Sequence, residues 1–314
     1  MSGQSNVRPE TARRVLAAVE TLGYRVHAAA ASLASGRTRI LGVIVLSTDR
    51  YSTGATSVGI ERVAAENGYT VTTASVANHA SLDAIVQAFD RLERQGAEGI
   101  ILAPTVALES PEMRTRTART PSTHLVRVGP EDDADFAVDQ RLVARLAVEH
   151  LLDLGHRTVW HVAGDEYWSE AGQRRETWET VLLERGITPA PVLPADWTSE
   201  SGYRAGRTIA AIPDATAVFV SSDEMAFGVI RALHEAGRAV PDDVSVVSVD
   251  DIALAAYASP ALTTVRQPFE AVGMAAARRV IGEIEGAEPA GDLPPIEPEL
   301  IIRASTAPPL EARR

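Results

Sequence analysis

The residues best suited to ligand binding in this chain are its tryptophans. Three of the four are Trp168, Trp178 and Trp197, and two of these flank loops that follow predicted strands. A sugar presents an apolar C–H face and a rim of hydroxyl groups, so its site needs an aromatic platform surrounded by hydrogen-bond donors and acceptors. These tryptophans therefore indicate a candidate site for a small polar ligand of that kind.

The motifs expected of an enzyme are missing from the sequence. No glycine-rich phosphate-binding loop follows a predicted strand, and no Gly-x-Ser-x-Gly nucleophile elbow occurs. His150 and His156 are six residues apart, which does not place them on one helical face as a metal pair. The carboxylates of Asp132, Asp133 and Asp135 are typical of a solvated loop. We therefore predict no catalytic residue, no metal site and no cofactor.

The composition is that of an ordinary globular protein. The 314 residues are enough for two domains, with 45% hydrophobic and 23% charged residues. The chain has no cysteine, which excludes disulfides and thiolate chemistry. No apolar run approaches the ~20 residues of a membrane span, and the N-terminus lacks the pattern of a signal peptide. These features predict a cytoplasmic protein with no membrane contact.

The charge is distributed unevenly along the chain. The formal net charge is −12, which taken alone argues against a nucleic-acid binder. Residues 1–39 nevertheless hold six arginines and two glutamates, a net charge of +4, so the remaining chain carries −16. A basic start on an acidic body is expected of a DNA-contacting arm joined to a ligand-binding core. A solvated surface helix explains the same charges.

The hydrophobic pattern predicts helices at the start and alternating strands and helices from residue 40 onward. An apolar face with helical spacing predicts a helix over Pro9–Leu22, and an alanine-rich stretch predicts a short helix over His27–Leu33. The predicted strands are Ile40–Leu46, Val71–Val76, Gly99–Leu102, His124–Val128, Thr158–Ala163, Ala217–Val220 and Val244–Val249. The helices between them include Leu82–Leu92, Leu142–Leu154, Gln173–Arg185 and Glu224–Ala236.

Apolar strands that alternate with helices predict an α/β fold of two doubly wound parallel-sheet lobes, because such strands are covered by helices on both faces. The predicted boundaries are a helical N-terminal part at 1–38 and a core at 39–314, with a first lobe at 39–156 and 267–287 and a second lobe at 157–266 and 288–306. Ligands of such sheets bind beyond the carboxyl ends of the strands, which places the site in the cleft between the lobes.

Several short motifs resemble, in their order and spacing, the LacI/GalR family of transcriptional regulators. They are Asn6-Val-Arg-Pro-Glu-Thr11, Leu22-Gly-Tyr24, Ser35-Gly-Arg-Thr38, Ile40-Leu-Gly-Val-Ile44, Leu154-Gly-His156, Asp223-Glu-Met-Ala-Phe-Gly228, Pro241-Asp-Asp-Val-Ser-Val-Val247 and Leu262-Thr-Thr-Val-Arg-Gln267. Each motif is weak alone, but together they cover essentially the whole chain. The resemblance implies a periplasmic-binding-protein-like core of type I, preceded by a helical remnant of a helix-turn-helix headpiece and by a hinge helix.

The resemblance implies that the N-terminal part contacts operator DNA. The chain starts at the loop before the third headpiece helix, and either Met1 is a misassigned start, which we favour, or the protein is natively truncated. The hinge residues that the resemblance assigns to DNA binding are Tyr24, His27, Ala30 and Leu33. Leu33 corresponds to a leucine that wedges between base pairs in the minor groove. An ordinary apolar residue on an alanine-rich helix is the alternative interpretation of Leu33.

The resemblance also assigns residues to an effector site. Trp197 corresponds to a tryptophan that packs on a sugar, and Arg174 to an arginine that donates two hydrogen bonds to ring hydroxyls. Asp250 corresponds to a carboxylate that accepts from hydroxyls, and Gln267 to a polar crossover residue. In the alternative interpretations of these residues, Arg174 is an exposed arginine on a helix and Asp250 is a helix N-cap.

One predicted site residue departs from the family pattern, and others are added by their sequence offset. Ser222 stands where the family often has asparagine, which leaves the identity of the ligand open. The residues added by offset alone are Trp168, Glu170, Arg50 and Ser52. If Glu170 and Arg50 both line the pocket, the site is more charged than a plain galactoside site.

We therefore predict a DNA-binding transcriptional regulator, in the simplest case a repressor, whose operator affinity is controlled by a sugar-like effector in the cleft. A homodimer would form through the core lobes. The alternative is a ligand-binding module without specific DNA binding, either a truncated regulator or a solute-binding-like protein. A Rossmann-like enzyme is a third class. The sequence leaves open the effector, its direction of control, the operator, and dimer versus tetramer.

Overall fold

The computed structural model describes residues 8–21, 28–46, 50–77, 79–103, 110–125, 137–287 and 296–310. Two helices come first, and α1 spans Pro9–Thr21 while α2 spans Ala28–Ser35. Both agree with the predicted helices to within two residues. The predicted hinge residues Tyr24 and His27 lie outside the described residues.

The first lobe is a parallel sheet with helices on both faces. Its elements are β1 (Ile40–Leu46), α3 (Tyr51–Glu66), β2 (Thr70–Val76), α4 (Leu82–Arg94), β3 (Ala97–Leu102), α5 (Pro111–Thr117) and β4 (Ser122–His124). The described strands run in the order β2-β1-β3-β4. The strand predicted over His124–Val128 lies at Ser122–His124 in the structure, and residues 126–128 lie outside the described ranges.

The second lobe is a larger sheet built in the same way. Its elements are α6 (Gln140–Asp153), β5 (Trp160–Ala163), α7 (Ser169–Glu184), β6 (Leu193–Pro194), α8 (Ser199–Ala210), β7 (Ala217–Val220), α9 (Asp223–Glu235), β8 (Ser245–Asp250), a 3-10 turn at Ala253–Tyr257, β9 (Thr263–Arg266) and β10 (Glu299–Ile301). The strand order is β10-β9-β8-β7-β5-β6, and among these described strands only β10 is antiparallel to its neighbour. Helix α10 (Phe269–Glu285) lies between β9 and β10 in the chain.

Burial on both faces explains why the strands are continuous apolar runs. In β7, Phe219 packs with residues of α6 and α7, whereas Val218 and Val220 pack with residues of α8 and α9. Burying each such side chain stabilises the fold by about 1.5–3 kcal/mol. A strand between two helical layers therefore has no polar face, as the sequence pattern predicts.

One predicted boundary is wrong, because helix α6 belongs to the second lobe. Val143, Ala147 and Leu151 of this helix pack in one apolar cluster with Phe219 and Val249 of the second sheet. The prediction placed residues up to 156 in the first lobe because the strand pattern restarts only after that point. The crossing between the lobes thus precedes α6, whereas α10 packs on α3 of the first lobe.

Helices α3 and α10 cross at two glycines. A Cβ added at Gly59 would lie 2.1 Å from the carbonyl oxygen of Glu270, and one added at Gly273 would lie 2.1 Å from that of Thr56. These contacts are to backbone atoms, which cannot rotate away. The two helices therefore approach each other at a distance that only glycine permits.

We expect Gly59→Ala to lower the free energy of unfolding by about 1–3 kcal/mol, because the added methyl group forces α3 and α10 apart. Gly54→Ala is the matched control, since Gly54 lies on the same helix with no atom within 4 Å of its Cβ position. That control should gain about 1 kcal/mol from helix propensity. Urea denaturation measures both variants, and equal changes of the same sign would contradict the prediction.

Candidate functional site

The cleft between the lobes brings together the predicted effector-site residues. The residues lining it are Arg50, Ser52, Trp168, Glu170, Arg174, Trp197, Ser222, Asp250 and Gln267, together with Tyr51, Gln140, Glu224 and Phe269. The first nine are all those predicted from the sequence, and the last four were not predicted. Their shared location agrees with a binding site beyond the carboxyl ends of the strands.

The elements that carry these residues end or begin at the same edge of the second sheet. Asp250 ends β8, and Ser222, two residues after the end of β7, is the N-cap of α9. Trp168 is the N-cap of α7, which also carries Arg174. Because the strands are parallel, their carboxyl ends lie side by side, and residues distant in the chain become neighbours.

Trp197 lies in a constrained backbone position against a glycine. Its φ of 74° is in the left-handed region, which non-glycine residues adopt at a cost of about 1–3 kcal/mol. A Cβ added at Gly164 would lie 2.2 Å from Cη2 and Cζ2 of the indole. The ring is therefore seated directly on the backbone of Gly164, which orients this aromatic side chain in the cleft.

Arg50 reaches from the first lobe to two aromatic rings of the second. Its guanidinium carbon lies 4.4 Å from the ring centroid of Trp168 and 5.3 Å from that of Trp197. Arg174 approaches the same Trp197 ring at 5.7 Å. Cation–π contacts within about 6 Å contribute about 0.5–2 kcal/mol, more when they are desolvated. The two tryptophans thus form an aromatic surface that cations already occupy.

Arg174 is a buried cation rather than an exposed helix residue. Only 4% of its surface is exposed, so the alternative interpretation of this residue is wrong. Its Nε donates to Oε1 of Gln140 at 2.9 Å, and its Nη1 donates to the carbonyl of Ser221 at 2.6 Å. Burial lowers the pKa of Arg174, while the nearby carboxylate of Asp250 raises it. A guanidinium of this kind is held in place to meet an acceptor.

Asp250 is a half-buried residue whose carboxyl group lies near this cation. Burial raises its pKa well above the usual value, and Arg174 opposes that rise. Its Oδ1 accepts from Nε2 of Gln267 at 2.7 Å, and its φ of 117° is again unusual for a non-glycine residue. The N-cap alternative is wrong, because Ile252 stands at the N-cap of the next turn.

The structure gives Ser222 and Trp178 roles that the sequence did not indicate. The hydroxyl of Ser222 accepts from the backbone N–H of Met225 at 3.3 Å and so caps α9. Trp178 does not belong to the cleft, since it is fully buried in the second-lobe core and donates from Nε1 to the carbonyl of Val159 at 2.9 Å. Tryptophan content alone cannot separate core from cleft.

The most informative residue that sequence reasoning missed is Gln140. Its side-chain amide forms hydrogen bonds with both Arg174 and Gln267 on the floor of the cleft. The only local signal is its place directly after Asp139, whose carboxylate caps α6 by accepting from the N–H groups of Arg141 and Leu142. Nothing in that signal points toward the cleft.

Helix α2 presents the predicted hinge leucine to solvent. Leu33 is 89% exposed, and Ala30 lies on the same helix. The chain that leaves α2 is anchored on Glu98, which accepts from Nε of Arg37 at 2.9 Å and from the backbone N–H groups of Thr38 and Arg39. Burial raises the pKa of Glu98, but these hydrogen bonds outweigh it and lower the pKa to about 2. The hinge exit is thus fixed to the first lobe at neutral pH.

Two other features are absent from the described residues. Within these ranges, no helix is both long and apolar enough to span a bilayer. In the same part of the chain, no three histidine, cysteine, aspartate or glutamate side chains are grouped as a metal would need.

Two sheet lobes with polar and aromatic residues in the cleft between them define a class of ligand-binding protein. The family model described as a periplasmic binding protein-like domain matches residues 148–306. MalR, an HTH-type transcriptional regulator from Streptomyces coelicolor, is 31% identical over 319 residues, which cover 98% of this chain and 91% of MalR. The chain belongs to the LacI family of transcriptional regulators.

Solved structures of this family share the fold. The Lac repressor dimer bound to operator and the anti-inducer ONPF matches with a TM-score of 0.79 and 26% identity over 90% of this chain and 99% of that one. The complex of the transcriptional regulator CelR with cellobiose matches with a TM-score of 0.72 and 26% identity, covering 96% of this chain and 93% of CelR. The predicted family and fold are therefore confirmed.

Proposed function

We propose that this protein is a DNA-binding transcriptional repressor whose operator affinity is controlled by a sugar bound in the cleft between its lobes. The observation that carries the proposal is the cleft itself, which is lined by an aromatic surface, a buried guanidinium and a half-buried carboxyl group. A sugar ring needs a platform for its C–H face and both donors and acceptors for its hydroxyl groups.

Unsatisfied polar atoms on two residues that line the cleft support a ligand rich in hydroxyl groups. Among the described residues, the indole N–H groups of Trp168 and Trp197 are buried and have no hydrogen-bond partner. A buried donor without an acceptor costs about 1–3 kcal/mol, and a ligand oxygen would remove that cost. The relative crystallised with cellobiose and the Lac repressor crystallised with ONPF make a glycoside the chemistry to test first.

The proposed site combines predicted and unpredicted residues. Trp197 and Trp168 would pack on the ring in place of the Arg50 guanidinium that contacts them. Arg174 would donate to hydroxyl oxygens and Asp250 would accept from hydroxyl groups. The residues proposed to complete the site are Gln267, Ser222, Glu170, Arg50, Ser52 and Gln140. Binding a carbohydrate in this manner requires no chemical reaction. We therefore propose a regulatory role for the protein rather than an enzymatic one.

The DNA-binding part of the proposal rests on the hinge. Leu33 is an exposed apolar side chain on a helix with no acidic residue, a feature that suits insertion between base pairs in the minor groove. We assign Ala30, Tyr24 and His27 to the same surface on the resemblance alone. The protein would act as a homodimer on operator DNA, as the Lac repressor dimer does, and therefore in the cytoplasm.

Calorimetric titration with ribose, glucose, galactose, maltose, lactose and cellobiose tests the ligand, and genomic-fragment selection followed by gel shift tests the DNA. We expect at least one sugar to bind and to change the affinity for a selected fragment at least fivefold. Sugar binding without any selected fragment would favour the ligand-binding module instead. The proposed sugar effector fails if none of the sugars binds at 10 mM.

A further inference from the structure

Two of the segments that join the lobes each carry a glutamine on the floor of the cleft. Gln140 begins α6, where the chain has just entered the second lobe, and Gln267 follows β9, where the chain is about to return to the first lobe in α10. Nε2 of Gln140 donates to Oε1 of Gln267 at 2.8 Å, and both side chains are buried. One hydrogen bond therefore ties two interlobe segments together.

The free ends of this glutamine pair reach the two charged groups of the proposed site. Nε of Arg174 donates to Oε1 of Gln140 at 2.9 Å, and Nε2 of Gln267 donates to Oδ1 of Asp250 at 2.7 Å. A guanidinium can only donate, so Gln140 accepts from Arg174 through Oε1 and donates through Nε2 to Gln267, whose own Nε2 then donates to Asp250. The result is one directional series, Arg174 to Gln140 to Gln267 to Asp250.

We propose that Gln140 and Gln267 are positioning residues that couple ligand contact at Arg174 and Asp250 to the relative orientation of the two lobes. This inference rests on the proposed function and adds the two residues that would link ligand binding to the orientation of the lobes. A ligand that accepts from Arg174 or donates to Asp250 competes with the amides for the same groups. A buried amide cannot lose its partner at low cost, so the glutamines and the segments that carry them must readjust.

Gln140→Glu is the sharpest test of this series. The variant keeps an acceptor toward Arg174 but replaces the donor that faces Gln267 with a second acceptor oxygen. If the Gln267 amide rotated to donate to residue 140, its carbonyl would then face the carboxylate of Asp250. While both carboxyl groups are ionised, the series therefore cannot be completed in either orientation. Gln140→Leu, which removes both hydrogen bonds, serves as a second variant in case the first fails to fold.

The readout is the distance between the lobes, measured by single-molecule fluorescence transfer. The chain has no cysteine, so Arg94→Cys on the first lobe and Ala211→Cys on the second introduce two unique labelling sites at exposed positions. Labelled chains are mixed with excess unlabelled chain, so that each dimer carries one labelled copy. Gln87→Glu makes the same charge change at an exposed position on α4 and is the matched control.

Two measurements decide the inference, and both use saturating sugar so that a lower affinity cannot imitate lost coupling. Where a sugar of the panel binds, we expect the shift in transfer efficiency in Gln140→Glu to be below half of that in wild type, with the control unchanged. A shift above half overturns the inference. If no sugar binds wild type, the proposed effector fails separately. The ligand-free distribution then decides, because a broader one supports the coupling and a superimposed one overturns it.

Discussion

Replacing Arg174 with methionine should abolish sugar binding and lower the free energy of unfolding by about 2–4 kcal/mol, because two buried acceptors lose their donor. Methionine matches the length of the side chain but cannot donate a hydrogen bond, and it removes the cation that opposes the rise in the pKa of Asp250. The same change leaves Oε1 of Gln140 and the carbonyl of Ser221 without their donor. Urea denaturation and calorimetric titration measure the two effects.

The loss of stability in Arg174→Met should depend on pH with a definite sign. Burial already raises the pKa of Asp250, and removing the cation that opposes this rise raises it further. A carboxyl group with a higher pKa in the folded state binds its proton more tightly there, so its penalty is absent below about pH 4, the unfolded value, and grows as the pH rises. We therefore expect a larger destabilisation at pH 8 than at pH 4.5.

The neighbouring arginine provides the control for this prediction. Arg175 pairs with Glu166 at the surface and is more exposed than Arg174. Such surface pairs contribute about 0–1 kcal/mol, so Arg175→Met should change the free energy of unfolding by no more than that. Equal losses in the two variants would show that the burial of Arg174 and its hydrogen bonds to Gln140 and Ser221 are not what stabilises the cleft.

Gly164→Ala should weaken sugar binding at least tenfold and cost about 1–3 kcal/mol of stability, since the new methyl group overlaps the indole of Trp197. The ring must tilt away from the strand end and leave the position in which it would pack on a sugar. Gly164 has no left-handed φ, so the substitution adds no backbone strain of its own. Calorimetry measures the affinity and urea denaturation the stability.

A double-mutant cycle makes this second prediction independent of the ligand. Trp197→Ala removes the ring, so Gly164→Ala should then cost at least 1 kcal/mol less than it does in wild type. Gly172→Ala is the glycine control, because nothing lies within 4 Å of its Cβ position. The seating of Trp197 on Gly164 would be refuted by additive effects of the two substitutions.

Much of the site could be predicted from the sequence because its residues occupy recognisable places beside strands and helix starts. Trp197, Arg174 and Asp250 follow from family motifs, and Arg50 and Trp168 follow from their offsets along the chain. All five line one cleft in the structure. Their roles in binding stay predictions, since only their location is given by the fold.

Gln140 could not be predicted in the same way. Its partner Gln267 is 127 residues away, and their hydrogen bond exists only because two interlobe segments meet at the cleft floor. Trp178 shows the converse error. The sequence grouped it with the tryptophans suited to ligand binding, but its side chain lies in the core. Local sequence records which residues prefer burial, but not which partner a buried polar group finds.

The sequence by itself determined the α/β class, the two-lobed order of strands and helices, and the family, because hydrophobic periodicity and short motifs are local properties of the chain. Tertiary structure alone decided that α6 covers the second sheet, that Trp197 rests on Gly164, and that four polar side chains form one series across the cleft. The physical reason is that hydrophobic burial has no preferred direction. The surface against which a helix packs is decided only when the whole chain folds. The same is true of the polar groups that meet as a result.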